Sequence, residues 1–123
     1  MQIGFAPPPA WADRGIEVTI EPALPDDLLG FARRRLGAGR VLGRTDGATV
    51  EGWPVVMVDG DDAQHRFLFV FYLLDDRGAT ALARWPAGDD ARAEVAGALL
   101  AALVDWGAPP PALAVLWERF GEV

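Results

Sequence analysis

Arg66-Phe67-Leu68-Phe69-Val70-Phe71-Tyr72-Leu73-Leu74 is the stretch on which the fold turns. Side chains of a strand point alternately to its two sides, so Phe67, Phe69, Phe71 and Leu73 form one row and Leu68, Val70, Tyr72 and Leu74 the other. Both rows are apolar. A strand with one wet face would alternate apolar with polar; this one reads as a central strand covered on both sides. Leaving a row in water would forgo roughly 1.5–3 kcal/mol for each large side chain. Each row therefore needs a cover, from the chain's own helices and loops or from another chain. If both helices take one face, a partner or second copy finishes the other, and a homodimer is the simplest expectation.

Downstream, Asp75-Asp76-Arg77-Gly78 reads as a turn into a strand, Ala79–Trp85. Asp89 or Asp90 can cap a helix running to Trp106, with Val95, Leu99, Leu103 and Trp106 on one face. Gly107 and Pro109 end it, and Pro109-Pro110-Pro111 leads to a last strand, Ala112–Trp117. Upstream, Asp59-Gly60-Asp61-Asp62 reads as a loop. Asp46-Gly47 between apolar runs predicts a hairpin turn joining Arg40–Thr45 to Ala48–Val58. Pro54 in the second arm marks an edge strand or a bulge. Asp26–Leu36 reads as a helix with Leu28, Leu29, Ala32 and Leu36 as its stripe, stopped by Gly37 and Gly39. Ile16, Val18 and Ile20 alternate with Glu17, Thr19 and Glu21, the period of a half-buried strand. Phe5–Trp11, with its three prolines, reads as an extended edge running to a turn at Asp13-Arg14-Gly15. The order predicts a single α+β domain spanning residues 1–123, one twisted antiparallel sheet with two packed helices.

The 123 residues carry a net charge of −7 and no cysteine. The acidic balance argues against a nucleic-acid partner. No apolar run approaches the ~20 residues of a membrane helix, and no signal peptide is visible, so a cytoplasmic location is the default. Disulfides and thiolate metal sites are excluded. Serine, lysine and asparagine are absent too, and all eleven basic residues are arginine. Ser, Cys and Lys are thus missing from the usual nucleophiles, and His65 and Tyr72 are single.

Each candidate site has a plainer explanation. His65 has no second histidine to share a metal and reads as a strand-end residue. A calcium loop opening at Asp59 would need its last carboxylate at Val70, inside a strand, so Asp59, Asp61 and Asp62 read as a polar turn. Asp26-Asp27, Asp75-Asp76 and Asp89-Asp90 fall at turns and helix starts, where backbone hydrogen bonding suits them. Arg33, Arg34, Arg35, Arg40 and Arg44 form the one basic cluster, read as a solvated helix end that could grip a phosphate or an acidic peptide. No cofactor is expected. The tryptophans at 11, 53, 85, 106 and 117 are the surplus. Most suit the rim of a core, yet Trp also anchors interfaces. Trp11, Trp53, Trp85, Phe69, Phe71 and Tyr72 are the expected partner-binding residues.

Trp11-Ala12-Asp13-Arg14 resembles the W-x-D-R opening of small bacterial chaperones that escort type VI secretion effectors. The Leu- and Arg-rich helix follows as it does there. Glu51-Gly52-Trp53-Pro54-Val55 is similar to that family's G-x-P-A strand, and Gln64-His65-Arg66 to its Q-R stretch. The resemblance covers Phe5 to about Trp106 and implies a PsbP-like fold. Two features depart from it: one strand leads straight to the helix where the family has a hairpin, and Pro109–Val123 has no counterpart. Members mostly bind proteins, so the resemblance implies a chaperone or adaptor holding an apolar segment of an effector or other protein. The alternatives are a small enzyme using carboxylates alone and a structural subunit of a larger assembly.

Overall fold

The computed structural model describes residues 5–50, 53–74 and 77–106. The element order is α1 (Pro9–Asp13), β1 (Glu17–Glu21), α2 (Leu28–Leu36), β2 (Arg40–Val50), β3 (Trp53–Asp61), β4 (His65–Leu74), β5 (Arg77–Pro86) and α3 (Arg92–Trp106). The strands form one antiparallel sheet in the order β1-β5-β4-β3-β2, an α+β architecture. β2 to β5 follow each other as a meander, and β1 closes the far side against β5. α2 therefore connects the sheet's two edge strands across one face. The anticipated strand Ala112–Trp117 lies outside the described residues.

β4 is the central strand, and from Phe67 to Tyr72 both of its rows are buried within this one chain. Leu68, Val70 and Tyr72 pack with Val55, the β5 alanines Ala79, Ala81 and Ala83, and Val95, Leu99 and Leu103 of α3. Phe67, Phe69 and Phe71 pack with Val56, Val58 and the α2 stripe Leu28, Ala32 and Leu36. The case for a second copy assumed both helices on one face. They take opposite faces, so each row has a helix of this chain packed over it.

Local chemistry explains the element ends. Asp27 caps α2 by accepting a hydrogen bond from the Gly30 N–H at 2.9 Å. Gly37, at φ 58°, ends the helix in a conformation that costs other residues a Cβ clash. α1 corrects the extended reading of Phe5–Trp11: Pro9 sits in the first turn of a short helix, where its fixed φ fits and its missing N–H costs nothing.

Three boundaries on the β2–β3 side also differ from the sequence reading. Asp46-Gly47 is no hairpin turn. β2 runs through it with an irregular register between Thr45 and Ala48, and the chain reverses between the paired residues Val50 and Trp53. An Asp-Gly pair tolerates the backbone of a bulge as well as that of a turn, so the motif alone did not choose. Pro54 lies in the interior strand β3, but at its start. It pairs with Thr49, and the ladder to β4 begins only at Val55, so no interior hydrogen bond is lost. Asp59, Gly60 and Asp61 belong to β3, not to a loop. Gly60 is fixed there by packing, because a Cβ would stand 2.8 Å from the Leu36 methyl groups.

Candidate functional site

The two sheet faces differ in how completely they are closed. On the α3 face, rows run unbroken from β1 inward: Val18 beside Ala83 and Leu68, Ile20 beside Ala81 and Val70. The small alanines let α3 settle close to the sheet. Trp11 and Trp85 complete this core at 1% and 2% exposure. An ionic clamp holds its lower end. Arg14 donates from Nε and Nη2 to Asp89 at 3.0 and 2.8 Å, and from Nη1 to both Glu94 oxygens at 2.9 and 3.0 Å. Trp11 Nε1 donates to the same Glu94 at 2.8 Å. Arg92 grips Asp59 with two bonds of 2.6 and 3.1 Å, tying α3 to β3.

On the α2 face the apolar rows fail before they reach β1. Phe69 is followed outward by Leu82 and then Thr19; Phe67 by Arg84 and then Glu17; Phe71 by Thr80 and then Glu21. α2 has nine residues and sits over β2, β3 and β4. Phe31 lies edge-on to Phe69 and Phe71, and Arg35 stacks over Phe31 at 5.0 Å. Beyond that flank the sheet is open. A groove of about 260 Å³ lies there, lined by Glu17, Thr19, Arg35, Phe67, Leu82 and Arg84. A smaller depression continues it past Phe31 and Thr80 to Glu21. Its floor is apolar, Leu82 beside the edge of Phe67. Its rim carries both signs of charge, with Arg84 paired to Glu17. Thr80 holds the rim's far end by donating to the Ala23 carbonyl at 2.7 Å.

The expected partner-binding residues lie elsewhere. Phe69, Phe71 and Tyr72 are wholly buried, and Trp11 and Trp85 nearly so. All five work in packing within the chain, and a docking role for them would require the fold to open. Trp53 starts β3 opposite Val50; its side chain, like Trp117, lies outside the described residues. Leu82 and Thr19, which line the groove, escaped the sequence reading because neither type stands out. Their mark was positional: the β1–β5 margin of a face whose helix is too short to cover it.

The titratable groups act as structural charges. Hydrogen bonding to Arg14 holds Asp89 and Glu94 below the usual carboxylate range, and Trp11 adds to the effect on Glu94. Asp62 is lowered chiefly by the Gln64 and His65 backbone N–H groups, which donate to it at 2.8 and 2.7 Å. His65 Nδ1 stands 3.6 Å from the same carboxylate. Asp59 and Asp61 pair with Arg92 and Arg40. Arg33, Arg34 and Arg35 form the last turns of α2, and Arg35 alone reaches the groove. Among the described residues no three His, Asp or Glu side chains are grouped to hold a metal, and no helix is long and apolar enough to cross a membrane. Comparisons with protein-family models, curated proteins and solved structures find no match.

Proposed function

We propose that this chain is a non-enzymatic protein-binding module of the adaptor or chaperone kind, holding a short apolar segment of a partner against the open flank of its sheet. The observation that carries the reading is the groove beside α2. Phe67 and Leu82 offer it an apolar floor, Thr19 can bond a partner's backbone, and Arg35, Arg84, Glu17 and Glu21 surround it. That is the layout of a small interface, an apolar centre inside a polar rim. A leucine or phenylalanine side chain seated on Leu82 would extend the Phe69–Leu82 row that α2 leaves unfinished. The resemblance of Trp11–Arg14 and Gln64–Arg66 to effector chaperones suggests a secreted effector in the cytoplasm as one such partner.

The ionisable groups support a binder over a carboxylate-only enzyme. Acid–base catalysis by two carboxylates wants one of them held protonated in a cavity. Among the described residues the carboxylates with resolved shifts, Asp62, Asp89 and Glu94, are all shifted toward the charged form.

The test is affinity capture from the organism of origin with three baits: wild type, Leu82→Glu in the groove, and Leu42→Glu at the exposed Leu42 of β2. The proposal expects a protein retained by wild type and Leu42→Glu and lost with Leu82→Glu, with all three baits melting alike. Identical retention by all three, or specific retention by none, would sink it.

A further inference from the structure

A second cleft, of about 250 Å³, opens where α3 begins. It is lined by Arg66, Trp85, Arg92 and the loop 87–90. We infer that it binds an oxyanion, the carboxylate or phosphate group of a small ligand. The inference rests on Arg66. Its Nε–H is buried and has no hydrogen-bond partner, an arrangement that native proteins seldom leave unfilled.

Among the described residues, the carboxylates nearest Arg66 are engaged elsewhere or exposed. Asp61 is its cross-strand neighbour on β3 but bonds Arg40 at 3.0 Å. Asp59 is held by both nitrogens of Arg92 and Asp89 by both of Arg14. Asp90 stands exposed at the mouth. Arg66 is thus a half-buried cation beside a cleft and, among the described residues, without a counter-ion in contact. With a small shift of the side chain that uncovers its Nε–H, an oxyanion lying side-on to the guanidinium would accept from Nε–H and one Nη–H together, the fork geometry to which arginine is suited.

Two features of the walls act in the same direction. α3, fifteen residues long, begins at this cleft. The N–H groups of its first turn, Arg92, Ala93 and Glu94, have no acceptor within the helix, and its positive end faces an entering anion. Trp85, nearly buried, supplies an apolar side that thins the water around the bond. Asp90 and the net charge of −7 oppose a highly charged ligand, which favours a carboxylate or phosphomonoester over a polyphosphate.

The experiment is thermal melting, with arginine Nε–H and backbone amide NMR, of wild type and Arg66→Met. Sodium acetate and sodium phosphate are titrated separately against sodium chloride of equal ionic strength. The wild type should gain a saturable rise of about 4–8 °C with at least one oxyanion. The Arg66 Nε–H and the Arg92–Glu94 amides should shift with the same midpoint. Arg66→Met should lose the saturable part, keep the general salt effect, and melt no lower than wild type without anion. A response to acetate assigns a carboxylate ligand, one to phosphate a phosphomonoester, and one to both an oxyanion site open to either. A wild-type response no greater than with chloride overturns the inference. So does a saturable response that survives in Arg66→Met, or a variant that melts well below wild type without anion, which would make Arg66 a structural cation.

Discussion

The α3 face and the α2 face share one strand, yet they are finished differently. Fifteen residues of α3 lie over a floor smoothed by three alanines, with two buried tryptophans and the Arg14–Asp89–Glu94 clamp at one end. Nine residues of α2, three of them arginine, cover the phenylalanine row and leave Leu82 of β5 only partly buried. Closure builds stability on one side; incompleteness leaves a usable groove on the other. Substitutions on the two faces should therefore separate into those that unfold the chain and those that only disable it.

The largest effect belongs to Tyr72→Asp. Tyr72 is wholly buried under α3, and Tyr72→Asp would carry a carboxylate into that apolar core. The variant should show no cooperative thermal transition by circular dichroism at neutral pH. Leu99→Ala, on the helix that covers Tyr72, should lower stability by about 2–5 kcal/mol in urea melts, because a buried leucine leaves a cavity. A cost under 1 kcal/mol would mean that α3 is not held as described.

Acid should weaken the α3 face next. The folded chain holds Asp89 and Glu94 below their ordinary values, so their contribution is complete above the unfolded carboxylate range, about pH 4. It is lost as pH falls through the depressed folded values. Arg14→Gln should flatten that part of the pH–stability curve; an unchanged acid limb would show the clamp to be idle. The smallest effect on folding belongs to Leu82→Glu. Leu82 is only partly buried at the groove, so the variant should stay within about 1 kcal/mol of wild type while losing partner capture.

What the sequence disclosed follows from period and what it hid follows from pairing. The double apolar row of β4, the alternation in β1 and the stripe of α2 are local patterns, and each identifies its element. The side on which each helix packs is a matter of topology: β1 joins β5 and not β2, so α2 must cross one face while α3 returns over the other. Nothing in Leu28–Leu36 or Val95–Leu103 states that. The same gap hid the groove, which exists because strands distant in the chain, β1 and β5, bring Thr19 beside Leu82. Tryptophan drew attention as a docking residue by type, yet Trp11 and Trp85 went to the core. Asp46-Gly47 misled because bulge and turn ask for similar residues.

The claim underlying all of this is that one chain closes both rows of β4. Thermal unfolding of the isolated protein across a hundredfold range of concentration tests it most directly, since a fold completed by a second copy melts higher as concentration rises. The account predicts one cooperative transition whose midpoint does not move. A midpoint that climbs with concentration, together with a folded monomeric Tyr72→Asp, would contradict it.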